Sequence, residues 1–311
     1  MRPDAVTPDV LVIGAGPAGI STALWCARLN RTVRIFDHAA QAGGQLQNIP
    51  ATITDYPGLG SIDPRALAER LVTHLHAQGI QIERETRVQS IDIEQQVVDL
   101  ESGQAVGWQR LVLATGARKR TLGVPGEDNL RGLGVRFHGP KTDEHFDAQQ
   151  IVVVGGGDTA CENTLVLAKM GHRVTVLVRG SRLRGRKFFA DPIQDHPNID
   201  IRYDASVVQF TGSETLEGVV FNRSGTTEQI ETSLCFVHVG TEPSSELVRG
   251  IVRLEDSGHV AVDRSGKTSH PLLWAVGDVA APHAPSVAWA VGSAMAASKD
   301  IELSLSVSRR R

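Results

Sequence analysis

The chain has 311 residues and a formal charge of −3 at pH 7, with 32 lysines and arginines against 35 aspartates and glutamates. Its 41% hydrophobic and 22% charged residues are typical of a globular protein, and its length suits two domains. The lack of a basic excess argues against nucleic acid as a partner, because binding to phosphates depends on positive charge. We expect a cytoplasmic protein without membrane association, since the sequence shows no secretory signal pattern and no apolar run of about 20 residues.

The chain opens with a strand, a turn, a helix and a second strand. An apolar strand over residues 9–13 leads into the glycine-rich turn 14–19, a helix follows to about residue 29, and the second strand covers 32–36. Strands that are apolar throughout and alternate with helices favour a parallel sheet covered on both faces. We therefore predict an α/β fold.

The turn has the spacing GxGxxG that dinucleotide sites use. Gly14 permits the tight turn, Gly16 lets the backbone approach a pyrophosphate, and Gly19 lets the helix pack on the strand. The N-terminus of the following helix attracts the anion. Asp37 ends the second strand, where a carboxylate accepts hydrogen bonds from a ribose. Together these residues predict a dinucleotide site.

The next segment supplies scaffold. Asp63 and Pro64 begin a helix as its cap and its first residue, and Gly79 ends it. Residues 86–112 alternate in polarity like antiparallel strands, and a polar stretch that follows, to residue 126, is predicted to cross into a second domain.

The strand, turn, helix and strand then occur a second time. Strands over 151–154 and 173–178 flank a turn with the spacing GxGxxA, in which Ala160 is the permitted small residue. The nucleotide contacts expected of this turn are Gly155, Gly157, Asp158 and Thr159.

This second copy ends in a base instead of an acid. Arg179 stands where an NAD site normally has a carboxylate, and an arginine pairs with the 2′-phosphate of NADPH. Residues 173–187 contain six basic side chains and no acidic one, which favours NADPH over NADH, with a solvated basic face as the alternative. The first site ends in an acid and the second in a base, which indicates two different dinucleotides. We predict FAD in the first site, NADPH in the second, and hydride transfer between them.

The rest of the chain is predicted to return to the first domain. Residues 219–240 form a second alternating β region, and the polar residues 241–245 are predicted to cross back. The segment 274–278 and a helix from about residue 286 then belong beside the N-terminal part. The predicted domains are an FAD domain over 1–117 and 245–311 and an NAD(P)H domain over 118–244.

Four further motifs recur in the order and spacing of a known family. They are Gly43-Gly44-Gln45-Leu46, Asp55-Tyr56-Pro57-Gly58, Ala114-Thr115-Gly116-Ala117 and Ala275-Val276-Gly277-Asp278-Val279. The chain resembles the low-molecular-weight thioredoxin reductases over essentially its whole length. The resemblance implies a homodimer and two three-layer Rossmann-like domains, with the NAD(P)H domain inserted into a discontinuous FAD domain. The FAD contacts that it implies are Gly44, Gln45, Leu46, Val88, Gly116, Asp278, Ser286 and Val287.

The chain departs from that family at the redox centre. Thioredoxin reductases have a CxxC pair ahead of the second glycine-rich strand, and His138 and Lys141 occupy its two slots here. Neither side chain forms a disulfide, so thiol reduction by the family's mechanism is excluded. We assign no catalytic residue. His138 and Lys141 are candidates for steadying reduced flavin or an acceptor oxygen, and a loop that only packs is the alternative.

Two smaller departures affect the cofactor contacts. The Arg-Gln pair before the final helix is Pro285-Ser286 in this chain. The family's His-Arg-Arg is Val178-Arg179-Gly180, with Arg184 matching a later arginine, so two of three phosphate-binding arginines are present.

The three cysteines predict neither a disulfide nor a metal site. Cys26, Cys161 and Cys235 are far apart in the sequence and have no ligand spacing. We expect buried structural thiols and no metal.

The sequence leaves the electron acceptor open. We predict an FAD-dependent oxidoreductase that takes hydride from NAD(P)H and passes electrons to a non-thiol external acceptor such as ferredoxin, flavodoxin, a quinone or a small oxidant. The chain also resembles ferredoxin and flavodoxin reductases of the thioredoxin reductase type, and the basic segment 173–187 suits an acidic carrier. The alternatives are a redox or nucleotide sensor that kept FAD but lost electron export, and a thiol reductase that uses a partner's cysteines.

Overall fold

The computed structural model divides the chain into two compact units. Residues 1–118 and 242–311 form one, which we call the discontinuous unit, and residues 119–241 form the other, the inserted unit. The residues that the structure describes are 7–49, 52–140, 144–148, 150–281 and 286–308.

The discontinuous unit takes its elements from both ends of the chain. Its strands are β1 (Val10–Ile13), β2 (Val33–Phe36), β3 (Ile82–Glu83), β4 (Val88–Asp92), β5 (Val97–Leu100), β6 (Ala105–Gly107), β7 (Arg110–Leu113), β8 (Ala117–Lys119), β17 (Thr241–Pro243) and β18 (Leu273–Ala275), of which β8 and β17 reach one residue into the inserted unit. Its helices are α1 (Pro17–Arg28), α2 (Pro64–Ala77) and α5 (Val287–Ser308), with 3₁₀ turns at Gly44–Gln47, Glu246–Val248 and Gly277–Ala280.

The inserted unit has the remaining elements. Its strands are β9 (Val135–Arg136), β10 (Gln150–Val154), β11 (Arg173–Leu177), β12 (Ile199–Arg202), β13 (Ala205–Thr211), β14 (Gly218–Arg223), β15 (Thr226–Glu231) and β16 (Cys235–Val237), and its helices are α3 (Asp158–Lys169) and α4 (Lys187–Gln194).

A parallel sheet of order β18-β7-β1-β2-β3 forms the centre of the discontinuous unit. Successive β1 side chains point to opposite faces, and all four are buried. Val10 and Val12 pack in one core with residues of α1, α2 and α5, while Leu11 and Ile13 pack in another with residues of the antiparallel sheet β4-β5-β6. Each fully buried aliphatic side chain stabilises the fold by about 1.5–3 kcal/mol. The side chains on both faces of β1 therefore stabilise its place in the sheet.

The inserted unit repeats this three-layer plan. Its parallel sheet has the order β12-β11-β10-β16-β9. Ile151 and Val153 of β10 pack in the core that contains Leu167 of α3, and Val152 and Val154 pack with residues of the antiparallel sheet β13-β14-β15. The α/β class is confirmed in both units.

The cap of α2 forms as its sequence predicts. The Asp63 carboxylate accepts hydrogen bonds from the backbone N–H groups of Arg65 (2.9 Å) and Ala66 (3.1 Å), and Pro64 is the first helical residue. Gly79 follows the helix with φ +76°, a conformation that glycine adopts without strain. A side-chain cap of this kind stabilises a helix by about 1 kcal/mol.

The alternating β regions differ from prediction in the pairing of two strands. β7, predicted as part of an antiparallel region, pairs in parallel with β1, and β16 likewise pairs in parallel with β10. Both strands are buried on two faces, and they are too short for hydrophobic periodicity to distinguish parallel from antiparallel pairing. β13 and the short α4 were not predicted at all. In the described part of the chain, no helix is long and apolar enough to cross a membrane.

Candidate functional site

Two glycines of the first turn are required by packing. Gly14 has φ +105°, and a Cβ on it would collide with the carbonyl oxygen of Ala114 on the neighbouring strand. A Cβ on Gly19 would collide with the carbonyl oxygen of Gly14, so α1 lies directly against the turn. These two residues have the roles that the sequence analysis gave them.

The middle glycine of the turn faces space. Gly16 caps α1 without a side-chain hydrogen bond and without an acidic residue in the first turn. The nearest atom to a Cβ on Gly16 is the Gly44 Cα, at 3.8 Å, whereas a Cβ on Gly44 would lie 2.9 Å from the Gly16 Cα. The Gly43 N–H donates to the Ala15 carbonyl (2.8 Å) and holds the two backbones together. The exposed backbone of a helix N-terminus between paired glycines fits the pyrophosphate of FAD.

Asp37 lies at the carboxyl end of β2, beside this turn. It is 7% exposed, and its two oxygens accept hydrogen bonds from the backbone N–H groups of Ala15 (2.6 Å) and Ala39 (2.8 Å). The carboxylate therefore fixes the turn against the strand, a role that the sequence did not indicate. Each oxygen keeps a free lone pair, and ribose binding stays a prediction.

The expected flavin contacts divide into open and buried residues. Gln45 Nε2 donates to the Ala117 carbonyl (2.6 Å), and Gly116, at φ +69°, has open space where a Cβ would lie. The Leu46 side chain is buried in a cluster with Ile53, Leu67 and Val287, while Val88 is buried with residues of β5 and β6. The structure thus places three of the predicted contacts, Leu46, Val88 and Val287, against the protein interior, so that their backbones or the edges of their side chains are what remains for FAD.

Asp278 follows β18 in a 3₁₀ turn close to the start of α1. A Cβ on the preceding Gly277 would lie 2.8 Å from the Ala18 Cβ, which shows how near the turn is to the helix. Burial raises the pKa of the Asp278 carboxyl, and no described residue donates a hydrogen bond to it. A half-buried acceptor without a donor fits a hydroxyl of the ribityl chain or a phosphate-bound water. Ser286 directly precedes α5, and its Oγ accepts a hydrogen bond from the Trp289 N–H (3.1 Å).

The second glycine-rich turn has the same geometry at the end of β10. Gly155 has φ +136°, and a Cβ on it would collide with the carbonyl oxygen of His238. Gly157 caps α3, and a Cβ on it would meet nothing within 4 Å. Asp158 begins α3, and the backbone N–H (2.7 Å) and Nε (2.6 Å) of Arg186 bind its carboxylate. This pairing neutralises the acid in the first turn of α3, so the helix end still attracts an anion.

The two candidate phosphate arginines lie near this turn. Arg179 is exposed just beyond the end of β11, and the backbone N–H of Arg184 donates to the Gly156 carbonyl (2.6 Å). Neither guanidinium has a partner among the described residues. Thr159 is exposed in the first turn of α3. This backbone hydrogen bond holds Arg184 at the turn, and the sequence motif gave no sign of it.

One of the two predicted candidates, His138, lies near other basic side chains. His138 follows β9, and burial together with the nearby Lys119 lowers its pKa. Lys141 lies outside the described residues. The structure adds His238, a buried histidine at the end of β16 whose pKa also responds to Lys119 and His138. Sequence reasoning missed His238, and its one signal is a polar residue that ends an apolar strand.

The thiols are buried and separate. Cys26, Cys161 and Cys235 are all free, as predicted. Burial raises the pKa of each, to about 11 for both Cys26 and Cys161, so the thiolate form that attacks disulfides is disfavoured. Within the described residues no group of His, Cys, Asp and Glu side chains has a metal-binding arrangement.

Two glycine-rich turns at the carboxyl ends of two parallel sheets define a protein of the dinucleotide-binding class. Residues 8–297 match the pyridine nucleotide-disulphide oxidoreductase family, and the chain belongs to it. Membership implies FAD and NAD(P)H as cofactors. Whether the nucleotide is NADPH or NADH, and whether the protein is the homodimer that the resemblance implies, stay predictions.

Individual relatives agree with this assignment. The chain is 33% identical over 306 residues to a thioredoxin reductase of Mycolicibacterium smegmatis, covering 94% of this chain and 95% of that one. It is 26% identical over 274 residues to a 34.2 kDa protein in a rubredoxin operon of Clostridium pasteurianum, covering 87% and 88%. The crystal structure of Lactococcus lactis thioredoxin reductase in its FR conformation matches with a TM-score of 0.87 at 26% identity, covering 96% and 99%. The prediction of two Rossmann-like dinucleotide-binding domains is confirmed.

Proposed function

We propose that this protein is an FAD-dependent oxidoreductase that takes hydride from NADPH and passes electrons to an external acceptor that is not a thiol. The observation that carries the proposal is the state of the cysteines: all three are buried, free and in separate parts of the fold. Electron transfer to a disulfide substrate through protein thiols needs two cysteines that can approach one another, which these do not.

The chain's own residues bind and orient the two dinucleotides. When bound, FAD supplies the capacity to accept a hydride and release its electrons one or two at a time. Gly16 and Gly44 would admit the FAD pyrophosphate at the N-terminus of α1, and the Asp278 carboxylate would accept a hydrogen bond from the ribityl chain. Gly157 admits the pyrophosphate of NADPH at α3, and Arg179 and Arg184 pair with the 2′-phosphate, which NADH lacks.

An acidic electron carrier is the acceptor that the surface supports best. Phe188 is 83% exposed at the start of α4, and the neighbouring Arg182 and Lys187 are exposed as well. An exposed aromatic ring among cations suits a partner with an acidic rim. The Clostridium relative's place in a rubredoxin operon also supports a carrier without a thiol.

A two-stage reduction experiment tests the proposal. The FAD-loaded protein is mixed with NADPH without oxygen, and we expect the flavin absorbance to bleach within seconds. The reduced protein is then mixed with rubredoxin, flavodoxin, ferredoxin, menadione or an aromatic disulfide. Reoxidation by at least one of the first four and not by the disulfide is expected. Slow or absent bleaching would favour the sensor, and reoxidation by the disulfide alone would overturn the proposal.

A further inference from the structure

His238 lies beside the second glycine-rich turn. Its backbone N–H donates to the Val154 carbonyl (2.7 Å), and its own carbonyl is the group that excludes a side chain from Gly155. The chain runs from β10 to β11 and β12 on one side, while β16 and β9 lie on the other. In such sheets the ligand lies across the carboxyl ends of the strands where their order reverses, which here is between β10 and β16.

The imidazole of His238 is neutral. It is 7% exposed and stacks on Phe236, with ring centroids 6.2 Å apart at 20°. Burial lowers its pKa to about 3, and the neighbouring Lys119 and His138 contribute. At neutral pH the ring therefore carries a single proton.

The hydrogen bond to Asn163 indicates where that proton lies. The amide nitrogen of Asn163, itself buried on α3, lies 3.0 Å from Nε2 of His238. With the amide nitrogen turned towards the ring, Asn163 donates to Nε2, and we infer that Nδ1 carries the hydrogen. Nδ1 is fully buried and has no hydrogen-bond partner among the residues that the structure describes. A buried donor without an acceptor is unfavourable, and it needs an explanation.

A nucleotide bound as the proposed function has it would place an acceptor near Nδ1. If Arg179 beyond β11 holds the 2′-phosphate and Gly157 admits the pyrophosphate, the nicotinamide extends over β16 and β9. The only exposed polar atoms on the nicotinamide ring are those of its carboxamide. The Lys119 side chain, whose charge acts on His238, favours an acceptor oxygen over a donor.

We propose that His238, held by Asn163, binds the carboxamide oxygen of the nicotinamide through its Nδ1–H and so orients the ring for hydride transfer. Because Nδ1 is closed to solvent in the free protein, the bond forms with a local adjustment as the nucleotide binds. His238 is then a binding residue for the nicotinamide half alone, while Gly157 and Arg179 serve the adenosine half.

A comparison of two ligands tests this assignment. NADP⁺ and 2′-phospho-ADP-ribose share the adenosine half, and the second lacks the nicotinamide. We expect His238→Ala to weaken NADP⁺ binding about tenfold, as the loss of one good hydrogen bond implies, and to leave 2′-phospho-ADP-ribose unchanged. Asn163→Leu is also expected to weaken NADP⁺ binding and to leave 2′-phospho-ADP-ribose binding unchanged. Equal weakening of both ligands would show a structural role and overturn the inference. If neither ligand binds the unsubstituted protein, the proposed NADPH site fails instead.

Nitrogen-15 spectra of histidine-labelled, unsubstituted FAD protein give a readout that does not depend on a variant folding. The Nδ1–H signal of His238 is expected to shift on adding NADP⁺ and not on adding 2′-phospho-ADP-ribose. His172, whose Nδ1 bonds to the Ala148 carbonyl (2.8 Å), serves as the internal control and stays constant. A signal of His238 that responds to both ligands alike, or to neither although both bind, would overturn the inference.

Discussion

Asp37 and Arg179 stand at equivalent places beyond β2 and β11, but their side chains have different surroundings. Two backbone N–H groups hold the Asp37 carboxylate against the first turn. The Arg179 guanidinium is exposed and has no partner among the described residues. A charge held by the protein contributes to the fold, whereas a charge without a partner is available to a ligand. Arg179 is therefore the residue at which nucleotide preference is most cleanly tested.

Arg179→Ala is expected to weaken NADPH binding by about tenfold or more, because a charge-assisted hydrogen bond to phosphate contributes about 1.5–3 kcal/mol. NADH binding stays unchanged, since NADH has no 2′-phosphate. Stopped-flow reduction of the flavin over a range of each nucleotide measures both affinities. Arg182→Ala, in the same exposed segment, is the matched control and changes neither. If the Arg179 variant loses affinity for NADPH and NADH equally, Arg179 does not bind the 2′-phosphate.

Part of this site was predictable at the level of residues. The glycine spacing indicated which positions must lack a side chain, because collisions at Gly14, Gly19 and Gly155 follow from local geometry that the motif encodes. The cluster around His238 was not predictable, since Asn163 and Lys119 reach it from distant segments. No periodicity or spacing in one chain reports a contact of that kind.

The turns between strand and helix separate packing from binding at the scale of the element. A Cβ on Gly19 would collide with the backbone of the turn, while a Cβ on Gly16 has no protein atom closer than 3.8 Å. Two glycines three residues apart therefore have different functions. Gly19 sets the distance from α1 to the turn, and Gly16 leaves the space in which we propose that the cofactor pyrophosphate lies.

Gly16→Ala is accordingly expected to give a folded protein that binds FAD weakly, because the new methyl group occupies ligand space. Gly19→Ala is expected to unfold at lower temperature whether or not FAD is present, since α1 must move away from the strand. Thermal unfolding of the FAD-free proteins and flavin content after dialysis distinguish the two. A Gly16 variant that retains FAD as the unsubstituted protein does would contradict a pyrophosphate at this turn.

Secondary structure was predictable where an element carried its own signals. The Asp63 cap and Gly79 mark α2 in the sequence, and the structure has both. β7 and β16 are short apolar runs, which are equally compatible with parallel and antiparallel pairing until their neighbours are known. α4 contains Pro192 and has only eight residues, so its pattern is too weak to stand out.

The whole molecule is built from one plan used twice, and this repetition is why the class of fold could be predicted. Each unit encloses a parallel sheet between helices and an antiparallel sheet, and each sheet presents a glycine-rich turn at its carboxyl end. The chemistry could be predicted only as far as two dinucleotides. Where electrons go next depends on what replaced the cysteine pair, and no repeated pattern covers that segment.

A cysteine-free protein tests the absence of thiol chemistry in the molecule as a whole. With Cys26, Cys161 and Cys235 all changed to alanine, we expect unchanged rates of flavin reduction by NADPH and of reoxidation by a non-thiol acceptor. The variant is expected to be less stable, by about 1 kcal/mol for each buried sulfur removed, so assays are run well below its unfolding temperature. Flavin reduction that persists while acceptor reduction is lost would show that one of these thiols carries electrons, despite a burial that raises the pKa of all three.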